Sequence, residues 1–341
     1  MHVRSGVVLA GLLASAWAAP LRAQNGTAPL ERQCAGGSSV FTDACQKTTD
    51  LYRVLAPQLG ALVAGGNATL GQGRPLGQGA WTLGLRIHTI VGEIPDLATI
   101  PLDTGRATRS NFALEQVPLP LPMIDAALGL WSPVDLGGVM VGGLDALMNV
   151  AYLPNVSHGS VVLRLPNGSL QLGFGARLGL VDGPGPWPAL SATWIRRDLP
   201  TAFAGANFGN NGDRVEVERL VVRTSAWRLV ASGALGPVKL DAGAGRDRAR
   251  SSMNLFLSLQ PPRCTYGPDA CSGHPFEQFE QSVGRTQLFA DASVPFLGST
   301  LTLEIGRAGA IAIPTYNTFV GSEPGAARWE GALGIRIGGG R

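Results

Sequence analysis

The chain has 341 residues, with 27 Lys and Arg against 24 Asp and Glu for a formal net charge of +3, and this balance offers no footprint for nucleic acid. Charged residues make up only 15% and 47 residues are Gly. Beyond the first two dozen residues no apolar run approaches the roughly 20 residues that a membrane-spanning helix needs, so a helical membrane protein is excluded.

The N-terminus reads as a secretory leader: Arg4 sets a basic start, Gly6 to Trp17 is an apolar run, and Leu21 to Ala23 offer a cleavage site. We expect residues 1–23 to be a signal peptide. Removing them takes away Arg4 and Arg22, which leaves 25 basic residues against 24 acidic and a net charge of +1. An exported chain meets an oxidising compartment, where cysteines pair. Four cysteines allow three connectivities, and the simplest is local: Cys34 with Cys45 on the periplasmic side, Cys264 with Cys271 outside.

From Asp43 to Val63, Leu51, Val54, Leu55, Leu59 and Leu62 recur at helical spacing. Thr48 to Asp50 offer N-cap oxygens, Gly65-Gly66 a stop, and Pro57 should kink or break the helix. Such a stripe must bury itself, and a plug or lid at the mouth of the structure that follows is favoured over a solvent-exposed periplasmic helix. "GNATLGQGRPLGQG" (66–79) then reads as a flexible linker; no strand leads into it, so its Gly-x-Gly is no dinucleotide fingerprint. Residues 24–79 thus form a disulfide segment, a helix and a linker ahead of a unit spanning 80–341.

From residue 80 onward the pattern is strand. In "SLQLGFGARLGLVDGPGPW", Leu170, Leu172, Phe174, Ala176, Leu178 and Leu180 share one face, and Gln171, Gly173, Gly175, Arg177 and Gly179 the other. The same two-faced ribbon recurs at Trp81–Ile87, Ile124–Leu130, Leu301–Ile305 and Leu333–Ile337. Strands are expected over 80–92, 120–131, 139–153, 169–181, 187–198, 213–232, 237–247, 284–295, 298–308 and 328–338. Their connections alternate strictly between long and short, as in bacterial transmembrane barrels with short periplasmic turns and long outer loops. An even count makes the first and last strands antiparallel neighbours and removes every open edge. The expected fold is therefore all-β, an antiparallel transmembrane β-barrel of about ten strands (range 10–14) preceded by a short amphipathic helix.

In such a barrel the leucines face lipid. Arg or Lys on the lipid face near the midplane would cost about 2–4 kcal/mol, and Arg86, Asp125, Arg177, Glu304 and Arg336 all fall on the face opposite the leucines. Trp81, Trp187 and Trp329 fall at strand ends, where interfacial aromatics belong. Candidate lumen-lining residues are Arg86, His88, Asp125, Asp145, Asn149, Arg177, Glu304 and Arg336.

The stretch "SLQLGFGARLGLVDGPGPWPALSATW", preceded by "LGLWSPVDLGGVMVGGLDALMNVAYLP" and followed by "LVASGALGPVKLDAGAGRD", resembles a family of bacterial outer-membrane proteins catalogued as a domain of unknown function. That family is more distantly similar to the long-chain fatty-acid transporter barrels. The resemblance implies an N-terminal segment near or inside the lumen and diffusion of hydrophobic molecules. The chain departs from the transporters in strand number, in lacking their N-terminal hatch motif, and in ending on "GIRIGGGR" without a terminal aromatic.

No catalytic constellation is legible. Among His88, His158 and His274 only His88 lies on an expected strand, and no Ser or Asp is placed beside it by local spacing. "NVSHGS" lacks the first glycine of a nucleophile elbow. No His, Cys, Asp and Glu cluster has metal-ligand spacing, and no cofactor is expected. The reading is a non-enzymatic, porin-like barrel in the bacterial outer membrane, forming a narrow channel for a small or hydrophobic solute. Its expected partners are outer-membrane lipid, that solute and the barrel assembly machinery. A structural or surface-interaction scaffold acting through long outer loops is the alternative, and a membrane-embedded hydrolase the third.

Overall fold

Alternation alone assigns a face to each strand residue but not a direction, and burial supplies the direction: Leu172 is 66% exposed while Gln171 beside it is 1% exposed. The computed structural model describes residue 34 and residues 39–340 apart from 96–99, 101, 103–107, 159–160, 167, 184–186, 209–212, 260–271 and 322. The expected leader and the expected Cys264–Cys271 pair lie outside the described residues.

The ten barrel strands are β1 (Trp81–Pro95), β2 (Asn111–Trp131), β3 (Leu144–Tyr152), β4 (Leu170–Val181) and β5 (Ala189–Asp198), followed by β6 (Asp213–Leu235), β7 (Val238–Ser258), β8 (Ser272–Phe296), β9 (Ser299–Ala308) and β10 (Arg328–Gly339). Each pairs antiparallel with its sequence neighbours. β10 returns to β1 in the register Leu83↔Ile337 and Ile87↔Leu333, so the ring closes without an edge. Leu85, Ile124, Leu172, Leu229, Leu303 and Leu333 project outward in an apolar belt. Among the described residues no helix is long and apolar enough to cross a membrane.

Short turns close one end. The β8–β9 hairpin uses Leu297 and Gly298, both at positive φ, 46° and 76°, the geometry that matches the right-handed twist of two antiparallel strands. At the other end several strands run on past their expected limits: β2 begins at Asn111, β7 continues to Ser258 and β8 begins at Ser272. The outward alternation of leucine stops before the hydrogen-bonded ladder does. Pro118, Pro120 and Pro122 of β2 pair only with β1, because the β2–β3 ladder starts at Met123. They occupy a stretch that is locally an edge, where proline is tolerated. Val156–His158, Val161–Arg164 and Ala202–Phe208 add a small flap to the far end of β6, and Thr318–Val320 pairs with the start of β2. The strand expected over 139–153 is β3, preceded by a small hairpin of Val134–Asp135 with Met140–Val141.

One helix, α1 (Ser39–Ala64), stands inside the ring. Its residues Val40, Phe41, Leu51, Tyr52, Val54, Leu62 and Val63 pack in one cluster with Leu121, Met123, Val222, Met253, Leu255 and Phe279 of the inner wall. Three expectations are corrected here. The helix starts at Ser39, so Thr48 to Asp50 are interior rather than capping, and Thr48 Oγ1 donates to Ala44 O at 2.8 Å. Pro57 does not break it: the carbonyl left without its usual donor, Arg53 O, accepts from Gln281 Nε2 of β8 at 3.3 Å. Residues 66–79 are not a free linker, since Asn67 is fully buried and Ala68, Thr69 and Leu70 nearly so.

Candidate functional site

The interior has two layers, set by what each strand presents to the inside. Toward the long-loop end the wall is mainly apolar, built from Ile90, Leu121, Met123, Val222, Leu255, Leu257 and Phe279 with the buried Arg328–Glu93 pair among them, and α1 fills it. Toward the short-turn end the wall is charged. Here α1 stops at Gly65, whose φ of +54° ends the helix, and the chain continues as an irregular strap toward Trp81.

An irregular backbone in a barrel needs partners for its polar groups, and charged wall residues supply them. The strap carbonyls accept from arginines. Arg228 donates to Gly65 O at 3.2 Å and Gly66 O at 3.1 Å, and Arg86 to Asn67 O at 2.6 Å. Arg336 donates to Leu70 O at 2.6 Å and Gly71 O at 3.1 Å, Arg197 to Ala64 O, and Arg177 to Gln72 O. The strap amides donate to carboxylates: Asn67 N to Glu304 at 2.9 Å, Gly71 N to Asp291 at 3.0 Å and Leu76 N to Asp145 at 3.1 Å. Several clamps are themselves paired, Arg86 with Asp125 at 2.7 Å, Arg177 with Asp145 at 2.6 Å, and Arg228 with Asp247.

The strap lies flush against the wall. A Cβ added to Gly66 would stand 1.7 Å from Glu304 Oε1, and one added to Gly73 would stand 1.5 Å from Ser232 Oγ. A cavity of about 30 Å³ remains beside it, lined by Ala68, Leu70, Arg86, Asp125, Leu147 and Arg336. That is room for roughly two waters.

Above the strap, α1 is fastened to the barrel by side chains. Gln58 bridges to β1, accepting from Glu93 N at 2.7 Å and donating to Glu93 O at 3.0 Å, and Tyr52 donates to Ser251 at 2.8 Å. Near the long loops, Asp50 accepts from Asn317 N and Nδ2 at 2.7 and 2.8 Å, and Thr108 N donates to Asp43 at 3.0 Å. Burial pushes the Asp50 carboxyl above the usual carboxylate range, while the Asn317 hydrogen bonds and the Arg53 charge pull it back. Cys34 and Cys45 form a disulfide. It sits at this long-loop end, above the helix, and not at the short-turn end where periplasmic placement put it. α1 therefore begins on the loop side.

Of the eight residues singled out in the sequence, Arg86, Asp145, Arg177, Glu304 and Arg336 contact the strap directly. Asp125 and Asn149 stand behind Arg86, with Asn149 Nδ2 donating to Asp125 at 2.6 Å. His88 is fully buried, without a protein hydrogen-bond partner at either ring nitrogen, and 4.0 Å from Glu330. Sequence reading missed Arg197, Arg228, Asp247 and Asp291. The signal was present, since Arg228 alternates with the outward Trp227 and Leu229. Among the described residues no three or more His, Cys, Asp and Glu side chains gather as a metal site.

No family model matches the chain, and no curated protein matches it. Among solved structures it is similar to outer-membrane β-barrels. The translocator domain of the autotransporter NalP from Neisseria meningitidis is 8% identical, with a TM-score of 0.38, over 92% of this chain and 99% of that one. The toluene transporter TodX of Pseudomonas putida is 12% identical, with a TM-score of 0.33, over 85% and 96%. The outer-membrane protease OmpT of Escherichia coli is 10% identical, with a TM-score of 0.34, over 76% and 93%. Values this low carry no assignment of activity.

Proposed function

We propose that this protein is a gated outer-membrane channel for a small hydrophobic solute, with α1 and the strap as its gate. The observation that supports the reading is the division of the inner wall. A general porin presents a polar, water-filled interior, whereas here the half beneath the long loops is lined by Leu121, Met123, Val222, Leu255 and Phe279. An apolar solute entering that half would replace contacts now made by Leu51, Val54 and Leu62 of α1, passing charges already paired as Lys47–Asp43, Arg53–Asp50 and Arg328–Glu93, before it meets the strap layer. There the strap hangs from hydrogen bonds that water can take over one by one, so displacing it toward the short-turn end opens a polar exit.

In this reading residues 1–23 are a cleaved leader, 24–79 the gate and 80–341 a barrel inserted by the barrel assembly machinery. Arg86, His88, Asp125, Asp145, Asn149, Arg177, Glu304 and Arg336 line the path once the strap moves. No reaction is involved.

The test is permeation in proteoliposomes, comparing a monoaromatic hydrocarbon, a fatty acid and a sugar. The full chain should admit at least one of the apolar solutes above empty liposomes and exclude the sugar. An Arg228→Ala/Arg336→Ala variant, with a weakened clamp, should admit the apolar solute faster. Impermeability of both proteins to every solute would remove the channel. One feature favours a second reading: Asp43 and Asp50 tie α1 to residues 108 and 317 of the outer loops, so the disulfide-bearing end of α1 and these loops form one connected unit that a scaffold would hold in place.

A further inference from the structure

Arginine has no place on the lipid side of a barrel below the head groups, yet five arginines point outward on adjacent strands: Arg196 of β5, Arg223 of β6, and Arg246, Arg248 and Arg250 of β7, all exposed. Their height is fixed by register. Trp194 pairs across β5 and β6 with Trp227, and Trp227 pairs across β6 and β7 with Arg246. Farther round the ring Arg307 lies over the Trp329 ring at 5.6 Å. Trp194, Trp227 and Trp329 therefore mark the upper edge of the apolar belt, where interfacial aromatics belong. Arg248 and Arg250 rise above that edge, toward the long loops.

The cluster is only partly balanced by the protein: Asp198 of β5 stands opposite Arg223, and no acidic residue stands opposite Arg246, Arg248 or Arg250. Arg223 stands directly opposite Arg250, and Ser225 opposite Arg248. Like charges facing each other across a ladder repel. Arg196 is paired with Asp198 at 2.9 Å, but among the described residues Arg223, Arg246, Arg248 and Arg250 make no ion pair. Glu280 of β8 is also exposed, opposite Ser252, one step beyond Arg250. The guanidinium stems stand about 5 Å apart across strands and about 7 Å apart along β7. Planar guanidinium forks at such spacing suit phosphate oxygens.

We propose that Arg223, Arg246, Arg248 and Arg250 form a binding site for the phosphorylated head group of a lipid in the leaflet on the long-loop side. The site rests on the barrel spanning the outer membrane and is independent of whether a solute passes through it. The lipid tails lie along Leu229, Ala244 and Leu288 below, and the phosphate meets the arginines at the belt's edge. Binding neutralises the Arg223–Arg250 repulsion, so the lipid also stabilises the β6–β7 ladder.

The experiment uses the full chain purified from membranes in detergent. It is titrated with diphosphoryl lipid A, with dephosphorylated lipid A, and with inorganic phosphate, and the readout is the thermal midpoint of the folded band on a gel. Ligand that binds only the folded state raises that midpoint by mass action. Diphosphoryl lipid A should raise it, while the dephosphorylated lipid and inorganic phosphate at the same concentration should not. Arg246→Gln/Arg248→Gln/Arg250→Gln should weaken the apparent affinity at least tenfold, and the corresponding Lys variant should recover most of it. Should the triple variant fail to fold, Arg223→Gln alone and a fall in affinity with added salt give the same test. Equal shifts from both lipids, an undiminished shift in the Gln variants, or full reproduction of the shift by inorganic phosphate would overturn the proposal.

Discussion

At the scale of single residues, the plug is seated by close approach and by matched polar groups, and both can be broken one at a time. Gly66→Val would drive a branched side chain into the Glu304 carboxylate, which a Cβ alone would meet at 1.7 Å. Overpacking of this kind costs about 1–3 kcal/mol, and it acts on the strap rather than the ring. We expect faster proteolysis at Arg74 with the barrel still folded; an unchanged cleavage rate would count against the seating described here. Gln281→Leu removes the hydrogen bond that Gln281 Nε2 donates to Arg53 O beside Pro57, a loss of about 0.5–1.5 kcal/mol. It should appear as faster hydrogen exchange in α1 alone. Leu297→Asn at the β8–β9 turn relieves a left-handed backbone that costs an ordinary residue about 1–2 kcal/mol, so its thermal midpoint should rise. Gln281 and Leu297 did not stand out in the sequence, Gly66 did so only as a helix stop, and Glu304 only as an inward-facing residue. Glu304 is 237 positions from the Asn67 amide it accepts from, and no local spacing connects them.

At the scale of elements, the ring and its plug are stabilised by different means. The strands hold each other through ladders that face no competition from water inside a membrane, and among the described residues no ladder includes any of 34–79. Deleting 34–79 should therefore leave a barrel that still migrates as a folded band before boiling, with higher conductance in planar bilayers because the charged layer fills with water. A chain that no longer inserts would instead make the plug part of the barrel's core. The disulfide closes a separation of 11 residues, so by chain entropy it contributes at or somewhat below roughly 3 kcal/mol. Cys34→Ser should loosen the loop-side end of α1 and leave the ring intact, as peptide-level exchange would show. The helical stripe of Leu51 to Leu62 announced an element that must be buried. Its N-terminus was misjudged because Thr48, Thr49 and Asp50 look like caps, whereas in the structure they are polar interior residues satisfied by Ala44, by Cys34 and by Asn317 of a distant loop.

At the scale of the whole molecule, the apolar belt outside and the charged layer inside make a protein that should sediment with outer membranes and shift on unboiled gels; recovery as soluble periplasmic protein would overturn the membrane reading. Strand number, strand direction and the identity of the outward face were legible from residues alone. They follow from a period of two and from turn composition, both of which are local properties of the backbone. The same alternation placed Arg86, Arg177 and Glu304 opposite the leucines without the aid of any contact. The course of residues 34–80 had no such code. A Gly-rich, aperiodic segment has the composition of a free linker, and whether it swings outside or threads the ring depends on hydrogen bonds to Arg86, Arg228, Asp291, Glu304 and Arg336. Those partners lie on five strands that share an interior only once the barrel has closed, and for that reason tertiary structure alone decided that residues 66–79 thread the lumen and that α1 begins on the loop side.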